Sequence, residues 1–419
     1  MSDKMTKKKP LVPRLRFPEF RGAGEWEECL LEKAADFIRE RIPYSDVTSE
    51  NYISTENILP EFRGVAISSS LPTSGTVVSY QKYDILAANI RPYLKKIWLA
   101  DKNGGASNDV IVIRAKKKTN HLFLSHLLIN DRFIDYVMSG VKGLKMPRGE
   151  LSLIREYPTP IPQGDEQQKI AACLSSLDEL ISFECKNMGS LKGHKKGLMQ
   201  QLFPCKGETT SHLRFAEFET NDKWESAALH TISDVVRGGS PRPINDFITS
   251  TDKGINWLKI GDIDKDSKYV TKTSEKVIPQ ALSKTRVVHD GDLILSNSMS
   301  FGRPYIMRIS SCIHDGWLAI TKISSKVTKE YLYYYVLSPT SQDFFLTNAA
   351  GSGVLNLNID IIKNLQIIFP HKSEQKKIAD CLSSLDELIA AQGRKIELLK
   401  LQKKGLMQQL FPEMDEVTA

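Results

Sequence analysis

The sequence predicts an α+β protein with two globular mixed α/β domains separated by two long antiparallel helices that form a coiled coil, a pseudo-twofold plan. Three observations lead there. The segment from Glu166 to Pro204 is written again from Glu374 to Pro412, at a constant offset of 208 residues and with about two thirds of the positions identical. Apolar residues inside each copy recur at helical spacing. The stretch before each copy is β-rich, alike in plan and unlike in sequence.

Each copy opens on Glu-Gln, passes through Cys-Leu-Ser-Ser-Leu-Asp-Glu-Leu-Ile and closes on Gly-Leu-Met-Gln-Gln-Leu-Phe-Pro. In the first, Ile170, Leu174, Leu177, Ile181, Met188, Leu191, Leu198 and Leu202 fall on alternating four- and three-residue steps, broken by Glu184 and Lys195. In the second, Ile378, Leu382, Leu385, Ile389, Ile396, Leu399, Leu406 and Leu410 keep the register, broken by Gln392 and Lys403. That is a heptad seam, which buries its stripe against another helix. A single copy would equally suit a helix lying on its own globular core. Two near-identical seams make each the natural partner of the other. Nearly forty residues at about 1.5 Å each give a rod of roughly 55 Å. Phe-Pro ends both copies, because proline cannot continue a helix.

At 419 residues the chain has room for two or three domains with real cores. Its 41% hydrophobic and 26% charged residues are ordinary for a soluble globular protein. It has no apolar run of about eighteen residues or more, so no membrane span is expected. The first residues are polar and carry Lys4, Lys7, Lys8 and Lys9, which reads as a disordered tail over 1–14 and not as a secretory signal. Six cysteines occur without a C-x-x-C pair, and Cys173 and Cys381 occupy equivalent places beside the seam. Small, semi-buried thiols in a reducing cytoplasm are the expectation. A net charge of +7 and a pI near 8.9 are compatible with nucleic acid.

The repeat reaches beyond the helices. Leu15-Arg16-Phe17-Pro18-Glu19-Phe20 and Trp26 are echoed by Leu213-Arg214-Phe215-Ala216-Glu217-Phe218 and Trp224, at an offset of 198. Strands are predicted at 77–80, 84–86 and 110–113 in the first domain, and at 256–260, 292–295 and 317–320 in the second. A helical stretch follows in each, over 121–138 and 329–346. A proline-bounded strand, 157–162 or 365–370, leads into each repeated helix. The predicted division is a tail (1–14), a first domain (15–162), a first helix (163–204), a second domain (205–370), a second helix (371–412) and a tail (413–419). Two like domains held apart by a rod make a two-site reader. A DNA duplex offers equivalent faces about 34 Å apart.

The layout resembles the specificity subunit of type I restriction–modification systems. The resemblance is carried by the doubled helix with its Pro-bounded strand, by Leu15 to Phe20 and Leu213 to Phe218 with their tryptophans, and by the runs Asp84-Ile85-Leu86 and Asp292-Leu293-Ile294-Leu295. It covers nearly the whole chain. It implies two target-recognition domains that read the two halves of an interrupted DNA sequence. It also implies a non-catalytic chain that docks two DNA adenine methyltransferase subunits on its helices, with restriction subunits joining through them in phage defence. S-adenosylmethionine, ATP and magnesium would belong to those partners.

Chemistry then selects candidate DNA contacts. In the first domain Asn89, Arg91, Tyr93, Lys95 and Lys96 follow a strand and combine an adenine-type reader, a guanine-type reader and phosphate binders. Lys142, Lys145 and Arg148 form a second basic cluster among glycines. In the second domain the equivalent loop holds Ser296, Asn297, Ser298, Ser300 and Arg303. Ser240, Arg242, Lys259, Ser352, Asn356 and Asn358 add polar loop positions. For any one of these the competing reading is an exposed side chain that touches only water.

Enzyme readings fare less well. No G-x-x-x-x-G-K-[ST] phosphate loop is present. Asn89-Ile90-Arg91-Pro92-Tyr93 is faintly similar to the Asn-Pro-Pro-Tyr loop of amino-methyltransferases, but the first proline is missing and no cofactor loop lies upstream. Asp262, Asp264 and Asp266 read as a solvated turn, and the eight histidines show no H-E-x-x-H and no ligand spacing with cysteine. No metal or cofactor is expected in this chain. The alternative from another class is a coiled-coil scaffold whose two domains bind proteins.

Overall fold

A computed structural model describes residues 10–141, 147–219, 223–264, 267–297, 301–349 and 356–413. The chain divides into two compact units, Met1–Cys185 with Arg394–Ala419, and Lys186–Gly393. Both predicted helices form, Gly164–Leu202 and Lys372–Leu410, each 39 residues long. The unit boundaries fall inside them. Each unit therefore takes one half of each helix, a different partition from one that assigns whole helices to the spacer. No helix among the described residues is long and apolar enough to cross a membrane.

In the first unit one four-stranded antiparallel sheet runs in the order Ala35–Phe37, Val110–Ala115, Ile85–Ala88, Ile97–Leu99. A second runs Arg41–Pro43, Thr76–Tyr80, Gly104–Ala106, Tyr52–Ile53, with the last pair parallel. Ile85–Ala88 is buried along its whole length, as a short apolar run in a central strand should be. Asp84, read as the start of that strand, instead caps the turn before it: its carboxylate accepts the Gln81 N–H at 2.7 Å and pairs with Arg114. Gly104 has to be glycine, since a Cβ there would lie 2.2 Å from the Asn51 carbonyl.

The second unit repeats the plan with five strands in each sheet. One is ordered Asp234–Arg237, Trp317–Thr321, Leu293–Ser296, Pro304–Met307, Tyr269–Val270. The other is ordered Ile248–Thr249, Glu275–Val277, Ile255–Leu258, Ser311–Ile313, Arg286–Val288. In each unit the predicted helical stretch is two helices. His121–Leu128 stops before Asn130, whose side chain caps Asp131–Ser139 by accepting the Phe133 N–H at 3.0 Å. Lys329–Leu337 stops before Ser338-Pro339, where Ser338 caps Pro339–Asn348.

All the predicted seam residues are buried or half-buried. Three of the four polar residues that break the heptad, Glu184, Lys195 and Lys403, turn out to form cross-helix ion pairs. In the first unit Glu184 meets Lys395 at 2.5 Å, and Asp178 accepts from Lys403 at 2.6 Å. In the second Lys195 meets Asp386 at 2.5 Å. In the first unit, numbers rise along one helix as they fall along the other, so the half-helices run antiparallel.

The ends of the helices explain the repeated Glu-Gln and Leu-Phe-Pro. Gln167 accepts the Asn120 N–H and donates to the Pro162 carbonyl; Gln375 does the same with Thr328 and Pro370. The opposite ends are exchanged. Leu410 and Phe411, from the second copy, complete the first unit's core beside Trp26 and Phe123. Leu202 and Phe203, from the first copy, complete the second unit's core beside Trp224, Tyr331 and Tyr335.

Candidate nucleic-acid interface

In the first unit the loop between Ile85–Ala88 and Ile97–Leu99 is held in a costly shape. Arg91 (φ 53°) and Lys95 (φ 54°) are both left-handed and flank the one-turn helix Pro92–Leu94. A non-glycine residue in that region costs on the order of 1 kcal/mol or more and persists only where its surroundings dictate it. Here they do. Asn89 N–H donates to the Asp109 carbonyl at 2.8 Å, Gly149 N–H to the Asn89 carbonyl at 3.0 Å, and Arg91 N–H to the Pro147 carbonyl at 2.8 Å. Glu61 and Phe62 pin the far side through the Leu94 and Lys95 carbonyls.

The loop sorts its side chains. Arg91 and Tyr93 are exposed. Lys95 turns to Asp131 (2.9 Å) and Glu61 (3.3 Å), and the hydrogen bond to Asp131 raises its pKa. Lys96 donates to the Thr55 carbonyl, and Arg148 pairs with Asp109 at 3.1 Å. Asn89 is half-buried, with its Oδ1 unpartnered among the described residues. Lys142 and Lys145 lie outside the described residues.

The second unit rebuilds the same frame at the 208-residue offset. Asn297 stands where Asn89 does, after the central strand. Its N–H donates to the Gly316 carbonyl at 3.1 Å, and its carbonyl accepts from Leu357 N–H at 2.9 Å, the counterpart of Gly149. The strand register puts Arg303 at the place of Lys96, since Ser296 N–H donates to the Arg303 carbonyl as Ala88 N–H does to that of Lys96, and Gly302 (φ 67°) takes the left-handed place of Lys95. Arg303 lies 5.8 Å from the Tyr305 ring centroid.

Other candidates here are committed inside the domain. Ser296 and Asn297 are buried, so they shape the base of the loop and not its surface. Asn358 caps the helix Ile359–Lys363, and Lys259 pairs with Glu275 at 2.5 Å. Ser240 donates to Asp315 at 3.0 Å, while Arg242 and Asn356 are exposed. Ser298, Ser300 and Ser352 lie outside the described residues.

Sequence reasoning missed the acids. Asp315 gathers Ser240, His314 (2.9 Å) and Arg242 (3.8 Å), and its carbonyl accepts from Arg237 and Asn297. Asp109 and Glu275 likewise orient one basic side chain each, and Asp131 orients two, Lys95 and Lys404. An acid in a turn carries no signal of which distant cation it meets. Gly238, two residues before Ser240, marks close backbone packing, since a Cβ there would meet the His314 carbonyl at 2.1 Å.

The rest of the surface offers two further features. The first unit has a groove of about 1550 Å³ lined by residues including Leu122, His126, Asp131, Asp178, Lys403 and Met407. Among the described residues one group, Cys205, Glu208 and His212, has metal-ligand chemistry. Asp262 is spent on its own turn, accepting from Lys259 N–H and Ser274.

Comparison with known proteins agrees with this geometry. The model of the type I restriction modification DNA specificity domain matches residues 39–188 and 221–401. The MjaVIII type I restriction enzyme specificity subunit of Methanocaldococcus jannaschii is 26% identical over 416 residues, covering 95% of this chain and 93% of that one. A solved chain from work on complex assembly and conformational transition of the type I R-M system superposes with a TM-score of 0.59 at 19% identity, covering 92% of this chain and 97% of that one. The S subunit of a type I restriction-modification system from M. genitalium gives a TM-score of 0.58 at 14% identity, over 96% and 100%. Both structures show the same fold. The chain belongs to the family of type I restriction modification DNA specificity domains.

Proposed function

We propose that this chain is the sequence-specific DNA-binding subunit of a type I restriction–modification complex, in which each recognition domain reads one half of a bipartite site. The helical segments set the gap and dock two DNA methyltransferase subunits, through which restriction subunits join. The chain itself is non-catalytic and acts in the cytoplasm. S-adenosylmethionine, ATP and magnesium are bound by the partners.

One observation carries the reading: the same backbone frame occurs in both units, around Asn89 and around Asn297, while the side chains mounted on it differ. A constant frame with changed side chains is what two readers of different half-sites require. The αL geometry of Arg91 and Lys95 fits a preformed contact loop. Support for protein docking comes from the helices, where Leu180, Phe183, Leu398 and Leu401 are 39%, 59%, 66% and 66% exposed. A group of large exposed apolar residues marks an interaction surface.

The test is a selection of randomised duplexes by the purified chain, with a methyl-transfer assay beside it. A two-part motif enriched without methylation is expected. Methylation by the lone chain, or no sequence preference, contradicts the proposal.

A further inference from the structure

We propose that Cys205, Glu208 and His212 form a zinc-class metal site that staples the segment joining the first long helix to the second recognition domain. The ligand atoms of the three residues lie within 4.8 Å of one another. Tetrahedral zinc, with Zn–S near 2.3 Å and Zn–N or Zn–O near 2.0–2.2 Å, places ligand atoms roughly 3.3–3.7 Å apart. Small side-chain rotations close the difference.

The backbone is already arranged for this. Phe203 and Pro204 are buried, and Thr340 holds the Pro204 carbonyl at 2.8 Å. At the other end Leu213 N–H donates to the Gln201 carbonyl at 3.0 Å, and the buried Ser211 donates to the Leu213 carbonyl at 2.9 Å. Between these pins the chain turns at Gly207, whose φ of +88° suits glycine. The turn is closed by Glu208 N–H donating to the Cys205 carbonyl at 3.1 Å.

Glu208 is oriented as well as present. Its Oε2 accepts the Cys205 N–H at 3.1 Å and lies 3.2 Å from His212 Nε2. That backbone bond holds the carboxylate toward the imidazole, as the second shell of a metal site does. A thiolate, an imidazole and a carboxylate are ligands of the zinc class, and three protein ligands leave a fourth position for water or a partner's side chain. The site belongs to one copy only, because Glu413 stands at the repeat position of Cys205.

The test is a titration of reduced, metal-free full-length chain with cobalt(II) alone, read by absorption, followed by displacement with zinc. One cobalt per chain with thiolate-to-metal charge transfer is expected. The charge transfer should be lost in Cys205→Ser, and affinity should fall at least about tenfold in His212→Gln, as loss of a metal-site residue does. Cys185→Ser, which removes another exposed thiol, should leave the spectrum unchanged. Zinc should also suppress cleavage after Lys206 by a lysine-specific protease in the wild type but not in Cys205→Ser. Charge transfer that survives Cys205→Ser, or stoichiometry far below one, overturns the proposal. Melting curves of the variants separate ligand loss from misfolding.

Discussion

Arg16 and Glu166 meet through two parallel hydrogen bonds, both 2.7 Å, with their side chains only 7% and 1% exposed. Arg214 and Glu374 repeat the contact at 2.9 and 2.7 Å. In each unit the arginine belongs to the Leu-Arg-Phe arm and the glutamate to the first turn of a long helix, where the helix dipole also favours a carboxylate. The hydrogen bond to Glu166 raises the Arg16 pKa, so the pair stays charged. This clamp ties each domain to its rod.

Breaking the clamp should be expensive. Removing one partner strands a buried charge, which costs about 3–5 kcal/mol. Glu166→Ala and Glu374→Ala are each expected to lower stability by that order in urea unfolding of the full chain. Glu397→Ala, at an exposed pair with Lys400, should stay within about 0.5 kcal/mol. Losses below about 1 kcal/mol in both clamp variants would count against the assignment.

His126 should make the first unit acid-sensitive. Burial first, and the charge of Lys403 second, push its pKa down from 6.5 to about 3. Asp178 lies 3.9 Å from Nδ1, but its carboxylate is engaged by Lys403 and does not hold a proton on the ring. The folded ring therefore stays neutral where the unfolded one protonates. Its contribution is intact above pH 6.5 and is lost as pH falls toward 3. Between pH 7.5 and 5.5 the wild type should lose about 1.4 kcal/mol more than His126→Gln, measured as urea stability. Parallel pH profiles would contradict this.

On DNA, Arg91→Ala should weaken binding by about 1–3 kcal/mol and relax one half-site only. Arg303→Ala should do the same for the other half. Gel-shift series on duplexes altered in one half at a time give the answer. Equal affinity on every duplex would remove these loops from the interface.

The exposed helix residues of the first unit are unequally repeated. At the 208-residue offset, Leu180 and Phe183 become Leu388 and Ala391, while Leu398 and Leu401 stand opposite Ser190 and Gly193. Phe183→Asp with Leu398→Asp is expected to remove one of two methyltransferase subunits from the co-purified complex, leaving DNA binding by the lone chain intact. Retention of both subunits would place docking elsewhere.

Much of the fold was legible because it is periodic. The seam and the strands before the helices follow local rules that the order of residues alone displays. Glu184, Lys195 and Lys403 read as flaws in a heptad, and only the partner helix reveals them as ion pairs. The break at Asn130 was missed for a similar reason, since an apolar stripe continues through it while the cap ends one helix and begins the next. Site residues were the least legible. Arg91 and Lys95 are four apart and chemically alike, yet one faces solvent and the other is clamped by Asp131, a choice made by αL backbone geometry and a distant acid.

The proposed spacing of two base-reading domains along one duplex by the paired helices has a direct test. Seven residues inserted after Cys185 and seven after Gly393 lengthen both helices by about 10.5 Å, or roughly three base pairs of B-DNA. Duplex selection with this variant should return the wild-type half-sites with a spacer longer by that amount. An unchanged spacer, or a single contiguous motif in the wild type, would show that the helices do not set the distance between the half-sites.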